Sequence, residues 1–138
     1  MVERIRHGLN TSHAETAASA EDRRLRGRTY AIPFDHVWRA ACIQILTARR
    51  WTLLGTDDLS GTIEATAVTL IFRFVDDVTL RITLDENAQT RVDMTSRSRK
   101  GRGDLGTNAR RINAFMRKLD RRLKAKPEQI LSTMATVP

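Results

Sequence analysis

Sulfur, aromatic rings and long apolar runs are all scarce in this chain, and each shortage excludes something. The single cysteine, Cys42, has no partner for an internal disulfide, so nothing points to an oxidising compartment. Aromatic residues make up only 5% of the sequence, which leaves little to stack on unpaired bases. The three histidines His7, His13 and His36 are dispersed, and no Cys or His spacing suits a metal. No stretch approaches the roughly 20 apolar residues of a membrane-spanning helix. The first 25 residues hold no apolar core of the secretory-signal kind. The expectation is a soluble cytoplasmic protein with no metal and no cofactor.

What the chain has is positive charge, unevenly placed. The net charge is +8, and twelve of the 24 Lys and Arg fall within residues 96–126, where the acids are Asp104 and Asp120. Upstream of that segment the two signs nearly balance, so the excess is a patch rather than a diffuse field. With 138 residues, 41% of them hydrophobic, the chain is long enough to bury one real core.

Hydrophobic spacing gives the elements in order. Residues 1–28 lack a clean apolar period and read as a partly irregular N-terminal arm, with a short helix conceivable at 16–21. A short strand over Thr29–Ile32 stops at Pro33. Phe34, Val37, Trp38, Ala41 and Ile45 then keep helical spacing, ending near Ala48. Four strands follow: Trp51–Thr56, Thr62–Thr69, Val78–Leu84 and Thr90–Ser98. Asp57–Gly61 and Asp85–Gln89 are turns, and Leu70–Val75 is a more continuously apolar run without clear strand limits. Ile112, Phe115, Met116, Leu119 and Leu123 share one side of a second helix, with Arg110, Arg117, Lys118, Arg121 and Lys124 opposite, and Pro127 ends it. The order β-α-β-β-β-β-α predicts an α+β two-layer domain over 29–126, a mainly antiparallel sheet with both helices on one face. Residues 127–138 form a tail with little to anchor it. The other face would carry Glu64, Arg81, Arg91 and Asp93, as a solvated surface or a shallow platform under the arm.

The least ordinary stretch joins the last strand to the second helix. It reads Ser96-Arg-Ser-Arg-Lys-Gly-Arg-Gly-Asp-Leu-Gly-Thr-Asn108, followed by Arg111-Ile112. Its fixed positions are Ser96, Arg97, Ser98, Arg99, Gly101, Asp104, Gly106, Asn108, Arg111 and Ile112. This pattern resembles the hallmark of domain-of-unknown-function family 1499. Tyr30-Ala-Ile-Pro33, the Phe72-x-Phe74-x-Asp-Asp77-Val78 run and Arg91-Val-Asp93 add to the likeness, which spans roughly residues 15–125. The resemblance implies a fold and brings no activity, substrate or catalytic residue.

Read physically, Asn108 or Thr107 suits the cap of the second helix. Gly101, Gly103 and Gly106 permit positive φ and close backbone approach. Free N–H groups at the helix start, with Arg97, Arg99, Lys100, Arg102, Thr107, Asn108 and Arg111, make a candidate anion site for phosphate, sulfate or carboxylate. The plainer alternative is that Asp104 pairs with Arg97, Arg99 or Arg111 and the glycines only shape the turn. The spacing is neither a P-loop nor a dinucleotide fingerprint. The basic helix also suits sequence-independent contact with nucleic acid or an acidic membrane surface. No catalytic residues suggest themselves: Asp57-Asp58, Asp76-Asp77 and Asp85-Glu86 are neighbours whose side chains diverge on a strand. The expectation is a small non-catalytic domain that binds an anionic ligand or an acidic partner at this junction.

Overall fold

In a strand, successive side chains alternate between faces, and this chain keeps that alternation long enough in three strands to bury one side. A computed structural model describes residues 13–17, 19–99 and 106–131. The chain runs β1 (His13–Glu15), β2 (Arg28–Tyr30), α1 (Phe34–Thr47), β3 (Trp51–Asp57), β4 (Thr62–Val68), β5 (Val75–Leu84), β6 (Thr90–Ser98), α2 (Thr107–Arg122) and β7 (Ile130–Leu131). The sheet has seven strands in the order β3-β4-β5-β6-β2-β7, with β1 also paired to β6. Every pairing is antiparallel. This is the expected α+β fold.

The inner face carries Ile63, Ala65 and Ala67 of β4, Val78, Leu80 and Ile82 of β5, and Val92 and Met94 of β6, all buried. Both helices cover that face. From α1 come Val37, Ala41 and Ile45, and from α2 Ile112, Phe115, Met116 and Leu119, joined in one core. Phe34 and Trp38 stay half-buried and stack on each other at the start of α1, with ring centroids 5.7 Å apart.

Two short pieces outside the expected 29–126 core join the sheet. β1 pairs with residues 95–97 of β6, and Thr16 donates to Met94 O through its backbone and to Asp93 through its hydroxyl. The arm then makes a 3₁₀ turn at Arg23–Leu25, and Leu25 is buried. At the other end β7 adds a strand beyond β2. Both additions satisfy backbone groups that the free edges of β6 and β2 would leave to water. Of the described helices, none is long and apolar enough to cross a membrane.

The apolar run after β4 is not a strand. β4 stops at Val68, and Thr69 and Phe74 close a reverse turn: Thr69 N donates to Phe74 O at 2.9 Å, and Phe74 N to Thr69 Oγ1 at 2.8 Å. Arg73 inside it has φ of 59°, a left-handed conformation that the turn imposes on a residue with a side chain.

Candidate functional site

β5 and β6 carry their buried alternation one step too far for a purely apolar core. The same register that places Val78 and Leu80 inward also places Asp76 inward, opposite Ser98, with Ser96 opposite Val78. That end of the inner face is therefore polar, and the first turns of α2 lie over it. Asp76 is 1% exposed, and Arg111 Nη1 donates to its Oδ2 at 2.5 Å. Arg111 Nη1 also approaches Asn108 Oδ1 at 3.0 Å and Ser96 Oγ at 3.2 Å. Ser96 Oγ donates to Asn108 Oδ1 at 2.7 Å, and Asn108 Nδ2 to Ser98 Oγ at 3.3 Å. The second carboxylate oxygen, Asp76 Oδ1, is buried without a hydrogen-bond partner among the described residues.

Beside this network a cavity of about 340 Å³ lies between α2, the end of α1 and the adjoining ends of β3 and β4. That volume is at the small end of ligand sites, which occupy roughly 300–1,000 Å³. Its lining comes from three places: Arg49, Arg50 and Trp51 where α1 passes into β3, Ala67 to Leu70 at the end of β4, and Thr107, Arg111, Ala114, Phe115 and Lys118 of α2. Trp51 and Phe115 stack with centroids 5.5 Å apart and form an apolar floor. Gln44, which also lines the cavity, donates to Phe115 O at 2.9 Å and fixes α1 against α2. Arg49, Arg50, Arg111 and Lys118 surround the floor, and no carboxylate is among the described lining residues. Arg111 is already held by Asp76, so Arg49, Arg50 and Lys118 supply the rim's free positive field. Arg50 has φ of 65°, and its carbonyl accepts from Val68 N at 2.9 Å, which ties the rim to the end of β4.

The anion site expected at the strand-to-helix junction divides between two faces. Arg97 is exposed and opposes Asp77 in the pairing of β5 with β6. Arg99 turns outward and pairs with Asp77 at 3.1 Å, and this carboxylate raises its affinity for the proton. Thr107 and Arg111 are on the cavity side. Lys100, Gly101, Arg102, Gly103 and Asp104 lie outside the described residues.

Neither Asn108 nor Thr107 caps the helix. Gly106 holds the capping position with φ of 86°, and no side chain bonds the helix start there. Asn108 is 2% exposed and turned into the sheet, where Ser96 and Ser98 bind it more completely than a cap would allow.

What sequence reasoning missed is the triplet Arg49-Arg50-Trp51. The two arginines complement the end of α1, and their role as a cavity rim depends on a partner element 57 or more residues later. The only local signal was two cations directly before an aromatic at a helix-to-strand passage. His13, expected in an unstructured arm, is instead 4% exposed in β1, its Nε2 3.2 Å from Glu15 Oε1.

Burial pushes the Cys42 thiol up, away from the thiolate. Asp76 and Asp77 face opposite sides of the sheet. No cluster of three or more His, Cys, Asp or Glu among the described residues is arranged to hold a metal.

A family model described as a protein of unknown function (DUF1499) matches residues 9–119, well over half of the chain. No curated protein matches it.

Proposed function

We propose, from the premise that this chain belongs to the DUF1499 family, that it is a small non-catalytic domain binding an anionic ligand with an apolar body. One observation carries the reading: a cavity with a stacked Trp51–Phe115 floor and a rim of Arg49, Arg50 and Lys118. An apolar body would cover the rings while its charged head meets the rim. Guanidinium groups match a carboxylate or phosphate in two parallel hydrogen bonds, and a partly dry wall strengthens them. The site so read keeps Thr107 and Arg111 of the junction and leaves Arg97 and Arg99 out.

Calorimetric titration with phenyl phosphate, hexyl phosphate and inorganic phosphate tests this. The organic phosphates should bind more tightly than the inorganic ion. Joint replacement Arg49→Ala and Arg50→Ala should weaken them about tenfold or more, since charge-assisted hydrogen bonds contribute roughly 1.5–3 kcal/mol each. Arg97→Ala should change nothing. Equal affinity for all three phosphates, or no binding, would refute the reading.

A second reading rests on the outward row Arg110, Arg117, Arg121 and Lys124, all exposed. This row would follow duplex phosphates without reading bases, and its binding would fall with salt at a log–log slope of about −0.9 per neutralised phosphate. Salt-independent retention, or none at low salt, would discard it.

A further inference from the structure

The turn after β4 exposes three large apolar side chains in succession: Leu70 at 65%, Ile71 at 76% and Phe72 at 72%. Single exposed apolar side chains need no explanation, but three consecutive ones at a loop tip form a patch. The tip is also built to stay presented. Thr69 and Phe74 close its base with two hydrogen bonds, and Phe72 stacks on Phe74 with centroids 5.6 Å apart. Positive charge lies beside it. Arg73 is within the turn, and Leu70 shares its cavity with Arg49, Arg50 and Lys118. The acids nearest in sequence are engaged elsewhere: Asp76 is buried on Arg111, and Asp77 pairs with Arg99.

We propose that this tip is a membrane-docking device, with Leu70, Ile71 and Phe72 entering the acyl boundary of an anionic phospholipid bilayer while Arg49, Arg50 and Arg73 meet the headgroups. An apolar wedge ringed by cations is the arrangement an anionic bilayer surface selects, because one part partitions and the other is attracted to negative headgroups. Charge complementarity favours this occupant over a second copy of the chain, since two such tips meeting would bring like charges together. The proposal does not depend on what fills the cavity: Leu70 borders it, but Ile71 and Phe72 are not among its lining residues.

Sedimentation with vesicles of phosphatidylcholine alone, and of an equal mixture with phosphatidylglycerol, decides the matter on the full chain. Wild type should bind the anionic vesicles and leave the neutral ones. The triple replacement Leu70→Ser, Ile71→Ser and Phe72→Ser should abolish binding without lowering the melting temperature, because these side chains bury little in the fold. Arg49→Ala with Arg50→Ala should weaken binding roughly thirtyfold at low salt. Leu59→Ser is the control: Leu59 is 97% exposed in the turn at the opposite end of β4, and its loss should leave binding intact. Retention of binding by the triple variant would overturn the proposal, as would equal binding to neutral vesicles or none by wild type. So would wild type self-associating in solution while the triple variant is monomeric, which would assign the tip to a second copy.

Discussion

The two ends of α2 are fastened to the sheet by the same device, a carboxylate held by an arginine, and they differ in completeness. At the C-terminal end Asp120 accepts from Arg28 Nε at 3.0 and 3.1 Å and from the Tyr30 hydroxyl at 2.5 Å. Both of its oxygens are used, and Tyr30 is fully buried beneath it. At the N-terminal end the carboxylate belongs to the sheet and the arginine to the helix. There Arg111 serves Asp76, Asn108 and Ser96 at once, while Asp76 Oδ1 has no partner among the described residues. The pair at the closed end is about a fifth exposed on each side, and Asp76 is 1% exposed. The difference is one of pairing among the described residues: the Asp120 end has both carboxylate oxygens engaged, and the Asp76 end, beside the cavity, has one that is not.

Removing Arg111 should give the largest effect that separates the two ends. Arg111→Ala leaves a carboxylate in the core with only serine and asparagine near it, and breaking such a pair costs about 3–5 kcal/mol. Urea unfolding measures it, and the double replacement Arg111→Met with Asp76→Leu should recover most of the loss. Asp120→Ala should cost less, about 1–3 kcal/mol, because Arg28 can still reach water while the buried Tyr30 hydroxyl cannot. Equal losses at the two ends would break the comparison.

The closed end also has a pH signature. Burial first, then the hydrogen bond and charge of Asp120, push the Tyr30 phenol far above its ordinary range. Unfolded, it ionises near about pH 10. The fold therefore keeps the phenol neutral, and that stabilisation is complete below about pH 10 and lost as pH rises toward the folded value. Because Tyr30 is the only tyrosine, tyrosinate absorbance should appear together with loss of the helical signal. A tyrosinate signal in a still-folded chain would show that this end is open as well.

The smallest effect concerns the rim. Arg50 in its left-handed conformation carries a penalty of about 1–2 kcal/mol, which glycine would not have. Glycine's own entropy offsets about 0.5–1 kcal/mol of the gain. Arg50→Gly should thus stabilise the fold by about 0.5–1 kcal/mol while weakening phenyl phosphate. A loss of stability instead would mean that the arginine side chain, and not its backbone carbonyl alone, holds the end of β4.

Much of this was legible in the residues because local periodicity is a local property. The alternation of Val78, Leu80 and Ile82 against Thr79, Arg81 and Thr83 fixes which side of β5 is buried, and the spacing of Ile112, Phe115, Met116 and Leu119 does the same for α2. The same alternation places Asp76 inside, yet its importance was hidden: a charge at an inward position makes sense only once Arg111 arrives from 35 residues away. The strands of the arm and the tail were illegible for a related reason. Three residues and two residues carry no period, and what makes them strands is an edge left open by other elements.

The sequence by itself determined the α+β class, the buried side of β4, β5, β6 and both helices, and the concentration of Lys and Arg within residues 96–126. These follow from side-chain chemistry repeated at fixed spacing. Tertiary structure alone decided that Asn108 turns into the sheet rather than capping a helix and that Arg97 and Arg99 part from Arg111. It also decided that Arg49 and Arg50 meet Lys118 around a stacked tryptophan. Register and packing bring residues from distant positions to one place, and no window of sequence contains them all.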